Sequence, residues 1–483
     1  MNAPIRRLST FVALLFATLL VSTTIIQVFL AKGLNAREDN RRTLLSTYAR
    51  ERGQILVGDT PIAVSTPVSG EFKFLRTYPA GPMYADLTGY YSFYGAAGGL
   101  ESTENALLSG SSDKLFYRRV SDLFTGRKAK GANLVLTINA KAQEAAYDAL
   151  GDQRGAAVAL NPKTGEILAM VSKPSYDPNA LASHDLAALD TAYKALNGDP
   201  ARPLVNRAIA GNLYPPGSTF KVVTAAAALS SGKFQPDSVL PGPANLDLPQ
   251  TTVGLPNSGG RACGADDKVS LTDALRISCN TAFGWLGMEL GGDALRQQAA
   301  KFGFGDQLAV PMRVTASSVP AELNKPQEAQ SAVGQYDVRV TPLQMAMVAA
   351  GIANKGVVMK PYLVQSVLAS DLTTIESGEP STLSEAISPD VAAELTTMMT
   401  SVVASGTGTA AQMDGITVAG KTGTAQHAPG AAPHAWFISF APAENPTVAV
   451  AVVVEEGGTA GNEASGGRTA APVAKAIMEA VLR

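Results

Sequence analysis

The sequence predicts a mixed α/β (α+β) protein. One globular domain assembles its sheet from both ends of the chain, a smaller strand-rich module precedes it, and an apolar helix leads. Three observations carry this. Residues 8–31 (LSTFVALLFATLLVSTTIIQVFLA) hold no charged side chain. β-like runs recur near 133–173 and again near 416–455, with an Ala/Leu-rich, helix-like middle between them. Residues 54–112 differ in texture, being rich in Gly, Tyr, Ser and Thr with short β-like runs such as ILVGDTPIAVS. Strands at both ends with helices between imply layers around a common core.

A length of 483 residues accommodates two or three domains. Net charge is −2 with no long Lys/Arg block, so no nucleic-acid partner is expected. His184, His427 and His434, with Cys263 and Cys279, form no metal-ligand spacing.

Taken in order, residues 1–31 read as a short tip and a transmembrane anchor, because the apolar run is long enough to span a bilayer as a helix. A cleaved signal peptide would have an apolar core of roughly 7–15 residues and a small-x-small site. This run is longer and no such site follows. Basic residues flank both ends (Arg6, Arg7; Lys32, Arg37, Arg41, Arg42), which leaves the positive-inside rule ambiguous. Residues 32–130 read as a charged helical stalk over 37–52, a small strand-rich module, and a basic linker, TGRKAKG, at 125–131. From 131 to 483 the pattern is a strand and helix (ANLVLTINAKAQEAAYDAL) and then a hairpin around Asn-Pro-Lys-Thr-Gly. The helical middle follows, then the strands GITVAGKTGTAQ, AWFISFAP and PTVAVAVVVEEG, and a closing helix, APVAKAIMEAVL.

The chemistry begins at residues 214–232, YPPGSTFKVVTAAAALSSG, where two prolines and a glycine precede a small apolar helix opening at Ser218. Ser218 and Lys221 are i and i+3, on one face. A serine hydroxyl needs a base before it is a useful nucleophile. A lysine amine serves only when neutral, and burial among Phe220, Val222, Val223 and the alanines favours that form. The helix N-terminus adds N–H groups and partial positive charge suited to an oxyanion. Alone, the S-x-x-K pattern is equally an N-cap serine with a solvated lysine. It is accompanied by Ser278-Cys279-Asn280 in DALRISCNTAFGWLG and Lys421-Thr422-Gly423-Thr424 in GITVAGKTGTAQ. S-x-x-K, S-D-N and K-T-G together mark penicillin-binding proteins and class A β-lactamases.

Each residue then has a physical role to fill. Ser278 can pass a proton between the lysines and a leaving amine. Asn280 can hold a peptide-like carbonyl and orient Lys221. Lys421 is expected to keep positive charge that attracts a carboxylate and disfavours protonation of Lys221. Thr422 and Thr424 offer hydroxyls to that carboxylate. Gly423 is expected to keep the strand surface open for a substrate backbone, which adds to a sheet edge through main-chain bonds. The Ser218 and Thr424 N–H groups would form the oxyanion hole.

The chain resembles a class B penicillin-binding protein, a bitopic cell-wall D,D-transpeptidase, most like the A-type enzymes of actinobacteria. The resemblance covers nearly everything after the apolar run: ERGQILV (51–57), GGLESTENALLSG (98–110), LTINAKAQ, NPKTGEILAMVSKPSYDPN, YPPGSTFK, VGQYDVRVTPLQMA and KTGTAQ. It implies a transpeptidase domain with a mostly antiparallel sheet flanked by helices. Ser218 would attack the D-Ala–D-Ala bond of a peptidoglycan stem peptide and release D-Ala. An amine of a neighbouring stem would then resolve the acyl-enzyme. Penicillin and other β-lactams would acylate the same serine. The family needs no metal or organic cofactor, and its partner is a RodA/FtsW-like membrane glycosyltransferase. The implied place is the cell membrane, single-pass, with the catalytic domain extracytoplasmic and a role in cell wall synthesis, division or shape.

Two departures stand out: Cys279 where the motif has Asp, and Tyr336 in VGQYDV where many relatives carry glycine. An oxidising compartment leads us to expect a Cys263–Cys279 disulfide that holds the Ser278–Asn280 turn, with two buried free thiols as the alternative. His427 and His434 bracket a loop near the cleft and read as ordinary surface, with a rim role as the other reading. Glu101 reads as structural. A β-lactamase would need a deacylating glutamate in an E-x-x-L-N loop, and none follows Asn280. A penicillin sensor would need an output module, which the seven residues before the apolar run do not supply.

Overall fold

The computed structural model describes residues 2–30, 33–34, 48–118, 124, 130–211, 213–428 and 430–483. Most of the expected stalk and of the basic linker lies outside the described residues.

Helix α1 (Asn2–Thr24) continues as a π-helical segment, Ile25–Leu30. It runs 28 residues from Ala3 to Leu30, and its most apolar 18-residue stretch has a mean hydropathy of 2.2 with no residue buried. At about 1.5 Å per residue this exceeds the ~30 Å hydrocarbon layer. The polar side chains in the run do not oppose that setting. Ser9, Thr10, Thr18, Thr23 and Thr24 each donate to the carbonyl four residues earlier, which satisfies the hydroxyls inside the helix.

The membrane-proximal half is built on a six-stranded sheet. Its strands are β1 (Ile55–Val57), β2 (Thr60–Pro67), β3 (Phe74–Thr77), β4 (Asn133–Leu136), and two that arrive much later, β9 (Val364–Leu368) and β10 (Thr374–Ser377). The order is β10-β9-β4-β1-β2-β3. Only β1 and β4 pair in parallel. The sequence pattern placed β4 with the domain starting at 131. Its hydrogen bonds instead complete the sheet of the small module on one side and recruit β9 on the other. Strand pattern fixes which face is apolar, not which neighbour is chosen.

The other half is built on a five-stranded, fully antiparallel sheet. It comprises β5 (Gly155–Leu160), β6 (Ile167–Lys173), β11 (Ala419–Ala425), β12 (His434–Ala441) and β13 (Val448–Val454), in the order β11-β12-β13-β5-β6. β5 (GAAVAL) and β13 (VAVAVVV) are buried along their whole length. Both faces are covered, so the strands read as continuous apolar runs rather than alternating ones. Helices α3 (Ala140–Leu150) and α8 (Ala471–Leu482) pack on one face. On the other lie α4 (Lys221–Ser230), α6 (Pro342–Ala353) and α7 (Pro389–Ser405). The thoroughly buried α6 opens with Thr341 capping the Gln344 N–H and with Pro342 in the first turn. β11, carrying Lys421–Thr424, is an edge strand.

One cluster joins the halves, and one buried ion triad braces the small module. Tyr48 lies with ring centroids 5.3–5.6 Å from Phe72, Tyr91, Phe93 and His184, so His184 joins the aromatic cluster of the small module. Glu101 is fully buried between Arg52 (Nε 2.8 Å) and Arg76 (Nε 2.6 Å). Burial alone would raise its pKa, but the two guanidiniums outweigh it and hold the carboxyl below its ordinary value. Glu101→Ala leaves two buried cations unpaired and should cost about 3–5 kcal/mol, read as a lower urea midpoint. Because the folded pKa is depressed, this stabilisation is present above the unfolded carboxylate pKa. It disappears as pH falls through the folded value. The gap between wild type and variant should therefore narrow in acid; an unchanged midpoint at neutral pH would count against a stabilising triad.

Candidate active site

Ser218 sits on a turn bolted from three sides. Tyr214 donates to the buried Glu455 (2.6 Å), Trp436 Nε1 donates to the Pro215 carbonyl (3.1 Å), and the Gly217 N–H donates to Gly334 (2.9 Å). Gly217 has φ 53° and a Cβ there would stand 2.8 Å from the Thr424 oxygen, while a Cβ at Gly334 would stand 2.0 Å from the Gly217 oxygen, so glycine at 217 admits the K-T-G strand and glycine at 334 admits the turn itself. Residues Gly217–Phe220 form a 3₁₀ turn that leads into α4 at Lys221. Ser218 is half-buried on that turn, in the first-turn region where N–H groups lack intrahelical acceptors.

Lys221 is fully buried. Its Nζ donates to the Ser278 carbonyl (2.7 Å) and to Asn280 Oδ1 (2.7 Å), and lies 3.3 Å from Ser278 Oγ. Lys421, also fully buried, donates to the same Ser278 Oγ (2.9 Å) and to the Thr422 carbonyl (2.9 Å). Thus Ser278 Oγ bridges two amines. Ser278 holds φ 64°, a left-handed conformation that costs a non-glycine residue about 1–3 kcal/mol. Burial first, and the Lys421 charge second, push the Lys221 pKa well below its ordinary value. Burial also brings Lys421 down to about 7. Lys421 is therefore a group that titrates near neutrality, not the permanent cation expected from the sequence.

The K-T-G strand differs from expectation in two ways. A Cβ at Gly423 would meet Pro216 O (2.9 Å), Trp436 Cβ (2.9 Å) and Thr219 Cγ2 (3.0 Å). The glycine thus admits the Ser218 turn against the strand, rather than keeping space for a substrate. Thr422 is buried, with its hydroxyl 2.6 Å from Thr407 Oγ1, whereas Thr424 is exposed.

The Ser278–Asn280 turn is clamped by residues 243–263. Cys263 and Cys279 form a disulfide. Asn257, which sequence reasoning missed, is buried and accepts the N–H groups of Asn280 (2.9 Å) and Thr281 (3.0 Å) through Oδ1. Its Nδ2 donates to the Pro243 (2.8 Å) and Arg261 (2.9 Å) carbonyls. The Pro256 carbonyl takes the Asn280 Nδ2 proton at 3.0 Å, fixing Asn280 Oδ1 toward Lys221. Glu455 and Thr407 were missed as well; none of the three lies in a motif. His434 is buried rather than superficial. Its Nδ1 accepts the Glu456 N–H (3.1 Å), and burial followed by the nearby His427 pushes its pKa down to about 4. His427 stacks on it at 4.0 Å between centroids.

Comparison with known proteins places this arrangement. Residues 155–479 match the penicillin binding protein transpeptidase domain, and 52–134 match the penicillin binding protein A dimerisation domain. The peptidoglycan D,D-transpeptidase PbpA of Mycolicibacterium smegmatis is 46% identical, over 100% of this chain and 99% of that protein. PbpA of Mycobacterium tuberculosis is 45% identical over the same shares. The ceftriaxone acyl-enzyme structure of M. tuberculosis penicillin-binding protein A superposes with a TM-score of 0.88 at 44% identity, covering 91% of this chain and 100% of that one. The chain belongs to the class B penicillin-binding proteins, as a PbpA-type peptidoglycan D,D-transpeptidase.

Proposed function

We propose that Ser218 is the nucleophile and neutral Lys221 its base. The observation that carries this is the Lys221 amine: two short bonds to Ser278 O and Asn280 Oδ1 use the two protons of a neutral –NH₂. The lone pair then remains for the Ser218 proton. Ser218 Oγ attacks the carbonyl of the penultimate D-Ala. The Ser218 and Thr424 N–H groups hold the oxyanion. The proton passes through Ser278 to the leaving D-Ala amine, and an amine of a second stem repeats the sequence in reverse. Lys421 and the exposed Thr424 hydroxyl face the terminal carboxylate, with Asn280 on the acyl amide. Thr422, engaged with Thr407, supports Lys421 instead. β-Lactams acylate Ser218 by the same route.

The proposed organisation is an anchor (1–31), a stalk and small module (32–130), and the transpeptidase domain (131–483), with β4 shared between the last two. The catalytic part lies outside a membrane crossed once. Peptidoglycan is cross-linked there, and the Cys263–Cys279 bridge suits an oxidising compartment. The family resemblance supports a RodA/FtsW-like glycosyltransferase as partner.

Three outcomes are expected. Fluorescent penicillin should give a long-lived covalent adduct by intact mass on the wild type and none on Ser218→Ala; rapid turnover would instead mean a β-lactamase. Acylation should follow a bell in pH. Its acid limb reports protonation of Lys221. Its alkaline limb reports loss of the Lys421 charge above about 7, the two values belonging to the coupled pair. Lys421→Arg should move the alkaline limb out of range while lowering the plateau; a limb that stays in place refutes the assignment. Asn257→Ala should slow acylation about tenfold by freeing the Asn280 turn, measured as the second-order rate constant with penicillin.

A further inference from the structure

The end of the six-stranded sheet at which β1 begins carries a surface that has no part in the chemistry above. The register brings several pieces of chain to this end. Ile55 pairs with Leu134 and Leu368 with Asn133, so the start of β4 and the β9–β10 turn lie beside the start of β1. Pro67 pairs with Phe74, which adds the β2–β3 turn. Residues 113–118 lie against the β9–β10 hairpin. Leu115 is buried in the core, Lys114 pairs with Glu376, and Arg118 pairs with Asp371 at 2.8 Å. Farther along, Lys130 pairs with Glu51 at 2.7 Å, just before β1.

Large apolar side chains gather on the outside of this end. Phe116 is 53% exposed, Tyr117 87% and Leu372 70%. Phe116 and Tyr117 meet edge to face at 5.7 Å between centroids. The Arg118–Asp371 pair brings the neighbouring Leu372 to the same place. Phe124, later in the same segment, is 87% exposed. Single exposed apolar residues are ordinary, whereas a gathered group marks an interaction surface. The inward Leu115 and the two ion pairs fix the segment, so the outward rings are presented by built structure.

Position, charge and ring chemistry select the occupant. The apolar helix ends at Leu30, and Tyr48 packs on Phe72 of the β2–β3 turn, at this same end of the sheet. Residues 31–47 between them span at most about 60 Å when fully extended, so this end is tethered close to any bilayer that α1 crosses. The sequence 114–130, KLFYRRVSDLFTGRKAK, carries six cations and one carboxylate. Three of those cations are matched by Glu51, Asp371 and Glu376. A basic sequence with exposed aromatic rings suits an anionic lipid surface. Tyr117 joins an apolar ring to a polar tip, the form that settles at headgroup level. A two-fold contact with a second copy would instead set the basic sequence against itself.

We propose that this end of the small module is a membrane-seating surface. Phe116, Tyr117 and Leu372 enter the interface of the bilayer to a depth of about 5–10 Å, and the basic sequence around them meets anionic phospholipid headgroups. The seat sets the direction of the sheet. β4 runs from this end toward Thr137, whose hydroxyl donates to the Ile167 carbonyl on β6 at 2.8 Å. The catalytic half therefore joins at the opposite end, held off the lipid by the length of the sheet. The proposal rests on reading α1 as a membrane anchor.

The test uses the full chain in phosphatidylcholine vesicles containing about 30% phosphatidylglycerol. The lipids are prepared with and without bromine on the upper acyl carbons, which quenches tryptophan only at short range. Tyr117→Trp reports on the seat and Phe16→Trp on α1, while Val253→Trp, exposed on the catalytic half, reports on water. Wild type supplies the background from Trp285 and Trp436. Brominated lipid should remove about half of the emission added at 117, most of that at 16 and almost none at 253. Adding Phe116→Ser and Leu372→Ser should reduce the loss at 117 at least about twofold, with the rate of penicillin acylation unchanged. Quenching at 16 without quenching at 117, equal quenching at 117 and 253, or a loss at 117 untouched by the two serines would overturn the seat alone. A blue-shifted but unquenched reporter at 117 would do so too, and would give the surface to a second copy of the chain. No quenching at 16 would overturn the anchor reading beneath it.

Discussion

Burying two lysine amines against one serine hydroxyl is the constraint around which the catalytic half is arranged. An isolated buried ammonium is costly, and two adjacent ones are more so. The chain meets this cost with lowered pKa values and with carbonyl and amide acceptors: Ser278 O and Asn280 Oδ1 for Lys221, and Thr422 O for Lys421. These acceptors come from segments far apart in sequence. Holding them together requires a left-handed Ser278, a disulfide and the Asn257 amide on one side. On the other it requires glycines at 217, 334 and 423, where backbones meet too closely for a Cβ. Electrostatics sets the demand, and close packing supplies it.

A second theme is the repeated use of a carboxylate held between two arginines. Glu101 joins Arg52 and Arg76 in the membrane-proximal half. Glu455 joins Arg154 and Arg207 in the catalytic half and takes the Tyr214 hydroxyl too. In both, bringing two guanidiniums together outweighs the penalty of burial, and both carboxyls stay ionised. Neither touches the reacting atoms. Each also reaches a segment outside the sheets: Glu101 holds Arg52, just before β1, as well as Arg76 on β3, and Glu455, just past β13, holds Arg207 and Tyr214 on the approach to Ser218.

Much of this was legible in the sequence, for definite reasons. The apolar run, the β5–β6 hairpin, the β11–β13 strands and the last helix follow from periodicity and turn residues. The three motifs gave the residues that converge on Ser278 Oγ because their chemistry is specific. The rest was hidden because it depends on long-range neighbours. β4 looked like the first strand of the catalytic domain but pairs with β1 and β9. Gly423 looked like space for a ligand but answers to Pro216 and Thr219. The lone Asn257 has no local pattern, and only the fold brings it to the head of the Asn280 helix. His434 looked superficial because its loop is polar, yet it opens a buried strand.

The strand order has a consequence for how such a chain comes into being. Leu160 pairs with Ala449, and Leu136 with Val364. The centre of one sheet and the outer third of the other must therefore wait for residues made hundreds of positions later. Pairings of such separation are entropically slow to close. A ribosome producing this protein releases its anchor first and the middle of its catalytic sheet almost last. For most of its synthesis the polypeptide is tethered, incomplete and in need of shielding, and the nucleophile acquires its setting only when the final strands emerge.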